Sequence, residues 1–186
     1  GSLLDFIHVE DSLQSTIEQM ANALAKKGDI ILCSGGVSVG RHDHVKEAAK
    51  EVGFSELFWK IKQKPGKPLF VAKHNQTLLF GLPGNPVSAF MCFQNFVMPT
   101  LAALQGVDLL KEAVSAAALE DIHNPGKRTD FLRVNINREP NTTPTFRLID
   151  RQGSHMLTSI VEADGYIALE PGASLKEGDI TDVFVF

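Results

Sequence analysis

The chain has 186 residues, a length that fits one large domain or two small ones. Hydrophobic residues make up 44% of the chain and charged residues 22%, a composition typical of a folded globular protein and not of a disordered one. Its formal net charge of -4 argues against nucleic acid as a partner, because nucleic-acid-binding domains normally carry a basic surplus.

Neither a membrane span nor a disulfide framework is expected. The most apolar stretch, residues 87–104, is interrupted by polar residues and a proline, and it is therefore predicted to be a buried helix. Cys33 and Cys92 form no CxxC pair and have no metal-ligand spacing. We interpret them as reduced thiols of a cytoplasmic protein.

The first half of the chain alternates helices and strands. Apolar residues recur at helical spacing after Asp11 or Ser12, either of which can cap a helix that ends near residue 27. An apolar strand over 29–34, buried on both faces, precedes a glycine-rich loop and a helix over 44–52. This order predicts an α/β sandwich with a parallel sheet.

Three more strand-like segments follow, and then a long helix. The segments cover 57–63, 69–73 and 77–80. The helix is predicted to begin after Asn85, which is a good N-cap, and to bend at Pro99 before it ends near residue 105.

Beyond residue 108 the pattern changes to short β-like runs separated by Pro, Gly and Asn turns, which is typical of a small all-β domain. The predicted strands cover 131–137, 145–150, 156–161, 166–169 and 179–186. We therefore predict two domains, residues 1–108 and residues 109–186.

The first candidate site is the loop from Ser34 to Asp43. Glycines there let the backbone approach a phosphate at the carboxyl end of a strand, and Ser34 and Ser38 add hydroxyl donors. Asp43 is the only carboxylate of the loop, suited to Mg²⁺ or to positioning a reacting oxygen. A tight turn without a ligand explains the glycines equally well. A transition-metal site at His42-Asp43-His44 is not favoured, because three adjacent side chains point in different directions.

The second candidate is the stiff turn Lys64-Pro65-Gly66-Lys67-Pro68. Two ammonium groups held on one side of a turn repel each other unless an anion lies between them, so this geometry suits a compact oxyanion. A solvated hairpin tip, whose lysines discourage edge pairing, accounts for the same residues. The third candidate, Gly81 to Asn85, can form a pocket wall as well as a capped helix entry.

Three segments in order carry a resemblance to a known family. SGGVSVG at 34–40 with Asp43, FWKIKQKPGKP at 58–68 and GLPGNPVSA at 81–89 together resemble the molybdopterin molybdenumtransferases, the MoeA type also found as the E domain of gephyrin. The resemblance implies a partial three-layer α/β/α sandwich of the molybdopterin-binding type, followed by a small all-β domain. Because the family carries further N-terminal domains, we expect the chain to begin partway into the sandwich.

The family resemblance also implies a reaction and its residues. Members insert molybdenum into adenylated molybdopterin and release AMP with help from Mg²⁺, the last step of molybdenum cofactor biosynthesis. Asp43 and Ser38 match the catalytic positions, with Asp43 as the magnesium ligand. The molybdate-binding positions match Lys64 and Lys67, and more loosely Arg128 and Ser159. The residues expected to bind the molybdopterin phosphate are Ser34, Gly35, Gly36, Gly84 and Asn85.

The implied partners are small-molecule substrates, a second copy in a full-length homodimer, and the adenylating enzyme of the same pathway. No nucleic acid or membrane partner is expected. One alternative is a non-catalytic scaffold that docks peptides on the same fold. Another is the adenylating enzyme itself, which shares the α/β part, although the segments at 58–68 and 81–89 and the β-domain count against it.

Overall fold

The structure, a computed structural model, describes residues 1–37, 43–107, 112–150, 152–153 and 156–186. Its contacts divide the chain into two compact units. The first comprises Gly1–Ile61 and Gly66–Asp108, and the second comprises Lys62–Pro65 and Leu109–Phe186. One short segment, residues 62–65, therefore groups with the C-terminal unit, which a single boundary near residue 108 does not anticipate.

The described part of the first unit contains helices on a four-stranded sheet. The helices are α1 (Leu13–Ala25), α2 (Val45–Glu51), α3 (Pro86–Cys92) and α4 (Met98–Leu104), with a π-helical turn at Phe93–Val97. The strands are β1 (Ile30–Ser34), β2 (Ser55–Trp59), β4 (Phe70–His74) and β5 (Thr77–Leu82), while β3 (Gln63–Lys64) belongs to the second unit. The sheet has the order β1-β5-β4-β2.

The sheet is mixed, which corrects the prediction of a parallel one. Strands β1 and β5 are parallel, but β4 runs antiparallel to both β5 and β2. Only two residues, Asn75 and Gln76, lie between β4 and β5. So short a connection can join antiparallel strands only, because a parallel pair needs a crossover of a dozen residues or more.

Strand alternation places apolar side chains on both faces of this sheet. Phe70 and Ala72 pack with residues of α1 and α2, whereas Leu69 and Val71 pack with residues of the helices that follow β5. Strand β1 is not buried on both faces as predicted, since Leu32 is 45% exposed. It lies at the edge of the sheet, where fewer neighbours cover its side chains.

Individual residues explain where α1 begins and where the hydrogen-bond pattern changes before α4. Ser12, not Asp11, caps α1, and its hydroxyl accepts a hydrogen bond from the Ser15 amide at 3.2 Å. Near Pro99, where a bend is predicted, the structure has a π-helical turn before α4, because proline has no N–H to continue the α-helical ladder. By length and mean hydropathy Pro86–Leu104 resembles a membrane span, yet Cys92 and Val97 of this stretch are buried in the core of the first unit.

The second unit is built on a sheet that closes on itself. It contains β6 (Ala113–Ala118), β8 (Thr129–Asn137), β9 (Thr145–Leu148), β10 (Gly165–Leu169) and β12 (Ile180–Val185), together with the pair β7 (Ile122–His123) and β11 (Ser174–Leu175). Because β8 pairs with both β9 and β10, the strands form a barrel-like ring. Strand β3 pairs with β8 as an additional strand.

One predicted strand of this unit is wrong. Residues 156–161 are β-branched and apolar enough to favour a strand, but Thr158–Val161 forms a short helix, α5. Its backbone bonds locally instead of to a neighbouring strand. The Ser159 amide donates to the Met156 carbonyl, and the Glu162 amide donates to the Thr158 carbonyl, both at 2.9 Å.

The interior of the ring gives a direct test of this fold. Phe146 is fully buried there, whereas Phe6 is 86% exposed. We expect Phe146→Ala to lower the free energy of unfolding by about 3–5 kcal/mol in urea titrations, because it leaves a cavity. The matched variant Phe6→Ala should change it by less than about 0.5 kcal/mol. Equal costs for the two variants would contradict the assigned core.

Candidate functional site

The parallel pair β1 and β5 brings two predicted loops to one edge of the sheet. The Gly35 amide donates to the Leu82 carbonyl at 3.0 Å, and a Cβ atom at Gly84 would lie 3.5 Å from the Gly35 Cα. The residues predicted to bind the molybdopterin phosphate therefore occupy one edge of the first unit: Ser34, Gly35, Gly36, Gly84 and Asn85.

The backbone of the first loop requires glycine at positions 35 and 36. Gly35 has a φ of 88° and Gly36 a φ of 69°, and a Cβ at Gly36 would lie 3.0 Å from a methyl group of Val45. A tight turn thus explains both residues, and the Gly35 amide is used within the fold. Contact of these glycines with a ligand stays a prediction.

Asn85 occupies the N-cap position of α3, but its side chain makes no capping hydrogen bond to the helix. The predicted N-cap position is therefore confirmed, although this side chain does not supply a capping bond. The backbone performs part of that function, because the Asn85 carbonyl accepts from the Ala89 amide at 2.9 Å and Pro86 needs no partner for an N–H.

Val37 joins the three sequence motifs of the first unit. It is 1% exposed, its carbonyl accepts a hydrogen bond from the Trp59 indole at 3.1 Å, and a Cβ at Gly81 would lie 2.4 Å from its side chain. The Trp59 ring is held in turn by the ammonium groups of Lys46 and Lys60, 3.5 and 3.7 Å from the ring centre. Packing at Val37 therefore fixes where the glycine loop leaves the sheet.

Asp43 is half-buried just before α2, while Ser38 and His42 lie outside the described residues. No three His, Cys, Asp or Glu residues of the described ranges group closely enough to hold a metal. Asp43 offers one carboxylate, and Mg²⁺ is commonly bound by one or two carboxylates together with substrate phosphates. This donor set fits a cation shared with a substrate, and not a closed protein cage.

The two predicted molybdate lysines belong to different units. Lys67 is an exposed residue of the first unit, and its carbonyl accepts from the Ile61 amide at 2.9 Å. Lys64 lies in β3, directly opposite Asp130 of the parallel strand β8. Its ammonium nitrogen is 2.9 Å from the Asp130 carboxylate, whose side chain is 13% exposed.

Arg128 lies beside β3. Its guanidinium donates to the Gln63 carbonyl at 3.3 Å. The loop that carries it is held by Asn124, a buried residue that sequence reasoning missed. The Asn124 amide donates to the carbonyls of Arg128 and Leu169, each at 2.8 Å, and its oxygen accepts from the Gly126 amide at 2.9 Å. This buried, hydrogen-bonded amide fixes the backbone carbonyl of Arg128.

Arg133 is the second residue that the sequence did not single out. It is 1% exposed, and among the described residues its Nε and Nη2 groups have no hydrogen-bond partner, although Nη1 donates to the Phe131 carbonyl at 3.4 Å. Burial lowers the pKa of this guanidinium, and the Asp130 carboxylate opposes that shift. Along β8, Arg133 alternates with the apolar residues Leu132 and Val134, and this alternation predicts that its side chain is exposed. The sequence therefore does not indicate that Arg133 is buried.

Ser159 is likewise fully buried in α5, and its hydroxyl has no hydrogen-bond partner within the described ranges. Buried donors without partners are costly, since they have lost their bonds to water. Arg133 and Ser159 are therefore two buried donor groups with capacity for an anionic oxygen. Ser159 was predicted only through the family resemblance.

The thiols do not provide a nucleophile. Burial raises the pKa of Cys33 to about 11 and that of Cys92 to about 12. Both thiols are therefore protonated near neutral pH, and the thiolate is the reactive form.

Comparisons with known proteins agree on both units. Residues 2–103 match the family described as "Probable molybdopterin binding domain", and residues 115–186 match "MoeA C-terminal region (domain IV)". The chain belongs to the MoeA family. Its sequence is 35% identical, over 84% of the chain, to the molybdopterin molybdenumtransferase of Haemophilus influenzae. It is 31% identical to the protein of the same name from Staphylococcus epidermidis, over 94% of the chain.

This MoeA-family chain corresponds to a part of its relatives. It spans 39% of the Haemophilus protein, 42% of the Staphylococcus protein and 29% of the molybdenum cofactor synthesis protein cinnamon of Drosophila melanogaster, to which it is 34% identical. The structure superposes on a MoeA protein of Pyrococcus horikosii with a TM-score of 0.75 and 25% identity, covering 95% of this chain and 42% of the other. A molybdenum cofactor biosynthesis protein of Pyrococcus furiosus shares the fold, with a TM-score of 0.67, 22% identity and coverage of 91% and 54%.

Two glycines of one motif test the role of Val37. A methyl group at Gly81 would overlap the stiff Val37 side chain, whereas one at Gly84 meets only an ordinary contact. We expect Gly81→Ala to lower the free energy of unfolding by about 1–3 kcal/mol, and Gly84→Ala to leave it unchanged or slightly higher. Chemical denaturation measures both. A tolerated Gly81→Ala would show that the loop is not fixed at this point.

Proposed function

We propose that this chain carries the residues by which a MoeA-type enzyme inserts molybdenum from molybdate into adenylated molybdopterin and releases AMP. The names of its relatives support a role in molybdenum cofactor biosynthesis. The step itself is inferred from the chemistry of the residues. We further propose that the whole protein is a cytoplasmic homodimer that receives its substrate from the adenylating enzyme of the pathway.

The buried Arg133 carries the proposal. A guanidinium that is 1% exposed and has two nitrogen atoms, Nε and Nη2, without a partner in the described residues favours a bound anion that compensates its burial. Molybdate is a tetrahedral dianion with four acceptor oxygens, and arginine and lysine donate to such groups through charge-assisted hydrogen bonds. Lys64 and Arg128 lie on or beside β3 in the same unit. The buried Ser159 hydroxyl adds a neutral donor.

We assign the molybdopterin phosphate to the edge of the sheet in the first unit. Ser34 and Gly84 are exposed there, and glycines without side chains would let a phosphate approach the backbone closely. Asp43 would hold Mg²⁺ together with substrate oxygens, which supplies charge neutralisation at the adenylate phosphate. The roles of Ser38 and Lys67 stay predictions from the family resemblance.

The proposed reaction requires little covalent chemistry from the protein. Cleavage of a phosphate linkage is promoted mainly by positioning and by neutralising the charge that develops on oxygen. Lys64, Arg128 and Arg133 would bind and orient the molybdate oxygens. The sulfur ligands of molybdenum come from the substrate, in keeping with the protonated state of Cys33 and Cys92.

Calorimetric titration of the chain with molybdate tests this assignment. We expect Lys64→Ala and Arg133→Gln each to weaken molybdate binding about tenfold or more, because each removes a charge-assisted hydrogen bond. Lys176→Ala is the matched control, since Lys176 is an exposed lysine of the same unit that pairs with Asp121. Molybdate affinity that falls no more in Lys64→Ala than in Lys176→Ala would contradict the site.

A further inference from the structure

Lys64 is already engaged by an anion of the protein. Its ammonium nitrogen lies 2.9 Å from the Asp130 carboxylate, at the position where β3 and β8 pair in parallel register. The Asp130 side chain is 13% exposed and that of Lys64 is 58% exposed, so the carboxylate is the more enclosed member of the pair. The charge of Asp130 also opposes the lowering of the Arg133 pKa by burial.

We propose that Asp130 is a resident counter-ion of the oxyanion site, and that an oxyanion binds Lys64 by displacing this carboxylate. The proposal rests on the proposed function, since it concerns the same lysine. It adds a residue that sets the affinity of the site without binding the substrate.

The charges explain why a counter-ion is needed. Lys64 and Arg128 place two cations at the β3–β8 pair, and Arg133 lies three residues beyond Asp130 on β8. Cations held close together in a partly buried setting destabilise the fold unless an anion accompanies them. Asp130 provides that anion when no oxyanion is bound.

Displacement has a measurable cost for the ligand. An arriving oxyanion must compensate Lys64 and Arg133, and it must also do so better than the carboxylate that it replaces. The oxyanion gains only the difference in free energy between the two interactions. Repulsion between its own charge and that of Asp130 reduces this gain further. Removing the carboxylate charge should therefore strengthen oxyanion binding, and the gain should require Lys64.

The variant Asp130→Asn keeps the shape of the side chain and removes its charge. We expect it to bind molybdate roughly tenfold more tightly than the unmodified chain in calorimetric titrations. Asp130→Glu retains the charge and should remain close to the unmodified chain. Asp121→Asn is the matched control, because it also removes a carboxylate paired with a lysine in the same unit, and with it one unit of charge. Its affinity should change less than about twofold.

A double-mutant cycle separates displacement from general electrostatics. In the Lys64→Ala background, the gain from Asp130→Asn should largely disappear. An Asp130→Asn variant that binds molybdate no more tightly than Asp121→Asn would overturn the counter-ion role, as would a gain that persists without Lys64. Thermal unfolding of each variant verifies that it is folded, and Asp130→Ser repeats the test if the asparagine variant is not.

The outcomes distinguish this proposal from the proposed function. If the unmodified chain binds molybdate through Lys64 and Asp130→Asn brings no gain, the counter-ion role alone fails. If neither the unmodified chain nor Asp130→Asn binds molybdate, both proposals fail. If Asp130→Asn binds and the unmodified chain does not, displacement of the carboxylate is the dominant barrier and both are supported.

Discussion

The pairing of β3 with β8 is the contact on which the second unit's candidate site depends. Only two residues, Gln63 and Lys64, form β3, yet they bring the lysine turn into register with the strand that carries Asp130 and Arg133. Strand β3 also supplies the Gln63 carbonyl to which Arg128, the residue just before β8, donates. A short parallel pair thus gathers cations that are more than sixty positions apart in the sequence.

The first unit depends on a different constraint, the close packing at Val37. Its carbonyl is fixed by Trp59 and its side chain fills the space left by Gly81, so the glycine loop, the segment at 58–68 and the segment at 81–89 meet at one buried residue. This packing fixes the first residues of the loop, Gly35 to Val37, against the sheet. The candidate site of the first unit thus depends on backbone geometry, and that of the second unit depends on side-chain charge.

Local patterns in the sequence predict much of this, and contacts between distant segments account for the rest. The helical spacing before Gly28 and the turn signals around β4 and β5 predict elements that the structure contains. Strand β6 was missed, because its alanines have weak strand propensity although Ala116 and Ala118 are fully buried in the ring. The wrong strand at 156–161 shows the reverse, since β-branched residues there lack a strand partner. The burial of Arg133 and the effect of the Asp130 charge on its pKa depend on tertiary packing. Residue spacing in the sequence does not predict either of them.

The most direct test of the central claim is a crystal structure of this chain soaked with tungstate, a heavier analogue of molybdate located by its anomalous scattering. The account predicts a tungsten peak within hydrogen-bond reach of Lys64 and of the buried N–H groups of Arg133, with the Asp130 carboxylate moved away from the lysine. A peak found only elsewhere, or a Lys64–Asp130 pair that stays closed beside a bound tungstate, would contradict it.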